Sequence, residues 1–174
     1  MRPVSRFLAA AVLAVAAALP ATVPAGTATA NLGVSATVGS GCVVLTTPVA
    51  FGTYNAGSAT PTDSAGSIVV TCTTGTTYSV ALDAGASAST ASNVTTRRMT
   101  AGTARFLPYQ LYLDNAYATV WGDGANGSSV SPASGSHTAT GLPQSLNVYG
   151  RIAVGQFVTA GIYADTVVAT VTYN

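Results

Sequence analysis

From Cys42 onward, apolar residues recur on alternate positions, in short runs cut by Gly, Ser, Asn and Pro. Side chains alternate across a strand and return every three to four positions on a helix, so this pattern builds sheets. Thr166 to Tyr173 is the clearest run: Val167, Ala169, Val171 and Tyr173 share one parity, with Thr166, Thr170 and Thr172 opposite. Ser67 to Thr73 puts Ile68, Val70 and Cys72 on one side, and Thr77 to Leu82 does the same with Tyr78, Val80 and Leu82. Gly75 between them either breaks the chain or kinks one long strand. Val43 to Leu45 starts an earlier strand that Pro48 confines to an edge or a break. Tyr109 to Leu113 and Leu146 to Val154 follow, the latter interrupted by Gly150. Ala84 to Ser92 reads as an Ala/Ser loop. No helical stripe of any length follows residue 30. Six or so short strands in one domain predict an all-β sandwich.

A further alternating segment precedes the body of the domain. Asn31 to Val38 reads N-L-G-V-S-A-T-V, with Leu32, Val34, Ala36 and Val38 on one parity and Gly33, Ser35 and Thr37 on the other. Gly39-Ser40-Gly41 separates it from Cys42. A strand on a flexible joint can fill a groove in another molecule. The last alternating run, ending Val171-Thr172-Tyr173-Asn174 with no turn after it, supplies a reason to expect such a groove. The alternative is that residues 32–38 pair within their own domain.

Residues 1–30 read as a signal peptide. Arg2 and Arg6 form a basic start, Phe7 to Leu19 is a short apolar stretch, and Ala28-Thr29-Ala30 is a small-x-small cleavage site. The reading makes residues 31–41 a mobile strand and joint, and residues 42–174 the domain.

The charges exclude one class of partner. The chain has no lysine and no glutamate, and its net charge is +1. After residue 30 only Arg97, Arg98, Arg105 and Arg151 stand against Asp63, Asp83, Asp114, Asp123 and Asp165. A nucleic-acid partner requires a basic stripe that displaces phosphate counterions, so none is expected. Near-zero charge also gives little repulsion between copies.

Cys42 and Cys72 are the only cysteines. In an exported chain an isolated pair is most simply a disulfide, worth about 3.5–4 kcal/mol on the chain-entropy model. A metal site needs more ligands, and the only histidine, His137, sits in a Ser/Gly/Thr loop. No metal or cofactor is expected.

Catalytic signatures are missing as well. There is no G-x-S-x-G elbow and no G-x-x-x-x-G-K loop. The aspartates are scattered among turn residues, with no carboxylate pair for acid–base work. Trp121 to Gly127 lacks the regular acidic spacing of a calcium loop and reads as a turn built on Asp-Gly and Asn-Gly. His137 near a serine reads as a solvated loop residue rather than half a triad. Arg97-Arg98 reads as solvated, or as including one structural hydrogen-bond donor. No catalytic residue is assigned.

Several motifs stand in order along the chain: Gly41-Cys42-Val43-Val44, Phe51-Gly52-Thr53-Tyr54, Val70-Thr71-Cys72-Thr73 and Gly75-Thr76-Thr77-Tyr78. Arg98-Met99, Leu107 to Asp114, Trp121-Gly122-Asp123-Gly124 and Val148-Tyr149-Gly150-Arg151 follow, then Ala160 to Val167 and Val171-Thr172-Tyr173. Their succession resembles the spore coat protein U domain, the subunit family of archaic chaperone–usher pili. The resemblance implies an incomplete immunoglobulin-like β-sandwich that lacks its final strand and is completed by a donor strand from a neighbouring subunit. It implies a periplasmic chaperone, an outer-membrane usher and other pilin subunits as partners. It also implies export through the periplasm to a surface fibre used in adhesion and biofilm formation. On that reading Leu32, Val34, Ala36 and Val38 are the donor residues, and Val167, Ala169, Val171 and Tyr173 line the acceptor groove. A secreted monomeric coat or ligand-binding module is the competing reading.

Overall fold

A computed structural model describes residues 25–174. Most of the signal-peptide reading, residues 1–24, lies outside the described residues. The chain divides into two units, one ending at Ala36 and one covering Thr37–Asn174. Residues 25–41 contain no helix or strand and are exposed.

The second unit is all-β apart from one 3-10 turn at Val94–Thr96. Its strands are β1 (Cys42–Thr47), β2 (Thr62–Cys72), β3 (Thr77–Leu82), β4 (Arg98–Thr100), β5 (Phe106–Pro108), β6 (Gln110–Tyr112), β7 (His137–Thr138), β8 (Gln144–Ile152) and β9 (Ala169–Tyr173). A four-stranded sheet runs β1-β2-β8-β6 and a three-stranded sheet runs β7-β3-β9, with β4-β5 as a separate ribbon. All the ladders are antiparallel.

The alternation decides which side chains meet. Ile68, Val70 and Cys72 of β2 and Val148 and Ile152 of β8 face Tyr78, Val80 and Leu82 of β3 in one buried cluster. Trp121 is fully buried among them and donates its indole N–H to Val80 O at 2.9 Å. That bond satisfies a polar group that would otherwise be costly in an apolar core.

Most strands fall where the alternation puts them, with four instructive differences. Gly75 breaks the chain rather than kinking it: its φ is +84°, and β2 and β3 belong to different sheets. Gly150 does not interrupt β8, which runs through it. The last strand begins at Ala169 rather than Thr166, because Asp83 takes over at its start: Asp83 Oδ1 accepts from Val168 N at 2.9 Å. His137 is not a solvated loop residue. It sits in β7, half-buried, stacked on Tyr78 with ring centroids 5.0 Å apart, and its Nε2 is 3.0 Å from Ser131 Oγ. Burial holds its pKa below the ordinary value.

Cys42 and Cys72 are joined, with Cα atoms 4.0 Å apart as directly opposed residues of β1 and β2. The segment from Trp121 to Gly127 is a side-chain-held turn: Asp123 Oδ1 accepts from Ala125 N at 3.0 Å and Ser128 Oγ at 3.3 Å. Among the described residues no cluster of His, Cys, Asp or Glu could hold a metal, and no helix is long and apolar enough to cross a membrane.

Candidate assembly cleft

Pro48 cannot donate to a ladder, and β1 ends immediately before it. The chain then leaves the sheet edge and runs as an irregular wall, residues 48–54. Three contacts fix that wall. Ser64 Oγ donates to Ala50 O at 2.7 Å, Tyr54 Oη donates to Ala153 O at 2.9 Å, and Gln156 N donates to Tyr54 Oη at 2.9 Å. Val49 and Phe51 pack partly buried against the core.

An opposite wall is formed by residues 158–167, which carry no ladder beyond one bridge, Ala164 to Thr100. Between the walls lies a cleft of about 940 Å³. Its floor is apolar: Leu82, Met99, Leu107, Leu111, Val148 and Ile152. Strand edges flank it. Thr46 and Thr47 of β1 and Ala169 of β9 reach its lining, and each strand pairs on one side only, β1 with β2 and β9 with β3. A strand edge with unused N–H and C=O groups beside an apolar floor is a template for one more strand.

The polar groups near the cleft are already engaged. Tyr109 Oη donates to Asp165 Oδ2 at 2.8 Å, and Asp165 Oδ1 accepts from Ser87 N at 3.0 Å. Burial, reinforced by that carboxylate, pushes the Tyr109 hydroxyl well above its ordinary pKa. Arg97 is buried, and its guanidinium donates to Asp83 O, Leu82 O, Trp121 O and the Gln110 side chain. Burial lowers its pKa, but the four acceptors compensate its donors. Arg97 is thus the structural donor of the Arg97-Arg98 pair.

The residues expected at the groove divide. Val167 and Ala169 line the cleft. Val171 packs half-buried against the core, and Tyr173, opposite Tyr78, is 43% exposed; neither lines the cleft. Leu32, Val34 and Val38 are 89%, 88% and 82% exposed, and Ala36 is exposed too. The wall residues Val49, Phe51, Tyr54, Val158 and Tyr163 were not expected. Phe51 and Tyr54 carried a signal, an isolated pair of aromatics just past a proline, but their role depends on the chain leaving the sheet.

The Spore Coat Protein U domain model matches residues 28–170. The chain belongs to this family. Among curated proteins, this Spore Coat Protein U domain chain is 38% identical to "Protein U" of Myxococcus xanthus, over 95% of its own length and 97% of that protein. Among solved structures it is similar to a chain of the chaperone–tip adhesion subunit pre-assembly complex CsuC–CsuE, from the archaic chaperone–usher Csu pili of Acinetobacter baumannii. That likeness has a TM-score of 0.53 at 26% identity and covers 78% of this chain. The chain spans 40% of that structural relative's length. Family and structural neighbour together point to a structural, non-enzymatic protein with a Spore Coat Protein U domain fold.

Proposed function

We propose that this protein is an exported subunit of a chaperone–usher surface pilus, polymerising by donor-strand exchange. The observation that carries the reading is the apolar cleft beside the one-sided edges of β1 and β9, in a chain that also carries an exposed alternating segment. Leu32, Val34, Ala36 and Val38 of one copy enter the cleft of the next. Extended, residues 32–38 reach about 20 Å at ~3.3 Å per residue, enough to run along a short strand such as β9. Burying that apolar parity at ~25 cal/mol/Å² contributes several kcal/mol, and backbone ladder bonds add to it. Strand addition of this type is a known mode of pilin assembly. The contact is head-to-tail and does not close, so it yields a fibre. A periplasmic chaperone protects the cleft before assembly, an outer-membrane usher exports the subunit, and the fibre serves adhesion and biofilm formation. Residues 1–30 direct export.

Unboiled protein purified from the cell surface should run as a ladder of multiples on a denaturing gel and collapse to one band on boiling. A single band without boiling would favour the second reading, a monomeric secreted coat module, with which the family's description shares only the word coat.

A further inference from the structure

A second hollow, of about 700 Å³, lies between the β4–β5 ribbon and the β6–β8 side of the large sheet. Three of the four arginines that follow residue 30, Arg97, Arg98 and Arg151, line it, and none of the aspartates does. In a chain of net charge +1 this is a marked local asymmetry.

The three guanidiniums are not equivalent. Arg97 is spent on core acceptors, as described above. Arg98 donates its Nε–H to Ser87 O at 2.7 Å and lies over the Phe106 ring with Cζ 3.6 Å from the centroid. Among the described residues, neither of its terminal nitrogens makes a hydrogen bond. The ring fixes the plane of the group, so its donors are held rather than floppy. Arg151 gives Nε and Nη2 to Asp63 at 2.7 and 2.8 Å and stacks on Tyr117; its Nη1 makes no hydrogen bond among the described residues. Two preorganised cations therefore keep donors in reserve beside one hollow. A planar guanidinium with two such donors matches a carboxylate.

The rest of the lining sets the ligand class. Ser89 brings a hydroxyl on an exposed position, and Thr95 a hydroxyl that donates to Asn93 Oδ1 at 2.7 Å and keeps its lone pairs as acceptors. Gln156 brings an amide oxygen, its Nε2 being bonded to Pro108 O at 3.0 Å, and Tyr112 a ring. The volume suits an extended ligand rather than a single ion. The backbone donors of five lining residues are already used: Ser89 N bonds Thr96 O at 3.1 Å, Thr95 N bonds Asn93 Oδ1 at 3.0 Å, Thr96 N bonds Asn93 O at 3.0 Å, Tyr109 N bonds Arg97 O at 3.2 Å, and Gln156 N bonds Tyr54 Oη at 2.9 Å. A peptide strand would need such donors; a sugar recognised through side chains does not.

We infer that the hollow bounded by Arg98 and Arg151 binds a carboxylate-bearing saccharide, a uronate chain. Arg98 takes the carboxylate, Arg151, its charge balanced by Asp63, adds one donor through Nη1, and the hydroxyls, amide oxygen and ring meet the sugar. The inference does not depend on donor-strand assembly.

The test is calorimetric titration of the exported protein, in whichever assembly state it is recovered, with trigalacturonate at low ionic strength. Wild type should bind saturably, and maltotriose and triglutamate should bind at least tenfold more weakly. Arg98→Gln should weaken trigalacturonate about tenfold, and Arg98→Lys less. Arg105→Gln, outside the hollow, should leave binding unchanged. Ser89→Asp puts a carboxylate at an exposed rim position and should abolish binding with an unchanged melting temperature. It serves if Arg98→Gln does not fold. Unsaturable binding, equal binding of maltotriose or triglutamate, or wild-type affinity in both Arg98→Gln and Ser89→Asp would each overturn the inference.

Discussion

Phe51 rests on the bare backbone of Gly150. A Cβ at that glycine would stand 2.8 Å from Phe51 Cζ and 2.6 Å from Val49 Cγ1, closer than atoms pack. The wall of the cleft therefore lies against β8 because position 150 has no side chain. Phe51 also meets Tyr109 edge-on, with ring centroids 6.1 Å apart.

Gly150→Ala should push the wall outward. The expected cost is about 1–3 kcal/mol, the range for overpacking a filled site. Thermal unfolding measures it. A peptide of residues 31–38 offered to the cleft should also bind more weakly, because its wall is displaced. Unchanged stability and binding would mean that the wall relaxes freely.

The donor reading makes a parity prediction. Val34→Asp or Val38→Asp would carry an unpaired carboxylate into an apolar cleft, at several kcal/mol, and should abolish fibre formation. Ser35→Asp and Thr37→Asp lie on the other parity and should affect it much less. Each Val variant should still accept a wild-type donor, since its own cleft is untouched. Fibre yield of the four variants decides the matter; equal loss on both parities would end the donor assignment.

Replacing Cys42 and Cys72 together by alanine should cost about 3–4 kcal/mol on the chain-entropy model, read as a lower denaturant midpoint. Alkylation of unreduced native protein should add no mass.

His137 gives a pH dependence. Burial lowers its pKa in the folded chain below 6.5, the value it regains when unfolded. Between those two values the unfolded chain binds more protons, so stability is full above 6.5, falls as pH drops through 6.5, and levels off below the folded value. His137→Gln should flatten that slope in melting curves taken from pH 7.5 to 5.

The strands were legible where one face is buried. Thr77 to Leu82 was read to the residue because every second side chain is in the core. The first half of β2, Thr62 to Gly66, was not: Ser, Ala and Gly there carry no apolar contrast, and its pairing with Val148 to Ile152 is a long-range fact. The ribbon β4–β5 escaped because each strand has three residues, too few to show an alternation. At the cleft, two of the four expected residues, Val167 just ahead of β9 and Ala169 at its start, lie in the lining, while Val171 and Tyr173, further along the same parity, do not. The facing wall was not legible, because Val49, Phe51 and Tyr54 lie in a segment with no periodicity. Contacts with Ser64, Gly150, Ala153 and Gln156, all remote in sequence from it or on other elements, give that segment its place.

The disulfide has a mechanical consequence. Any tension pulled through residues 31–41 enters the domain at Cys42, the first residue of β1. Hydrogen bonds there would open one after another if β1 were peeled from its end. The Cys42–Cys72 bond sits at that end and hands the load directly to the last residue of β2, in the middle of the large sheet. Ahead of it stand only the bonds of Thr73 among the described residues: its N to Gly41 O at 3.0 Å, and its Oγ1 to Gly39 O and Gly41 O, both at 3.4 Å. Force would therefore meet a covalent bond once the contacts of Thr73 have given way, and the domain would bear it in shear across several strands instead of unzipping along one.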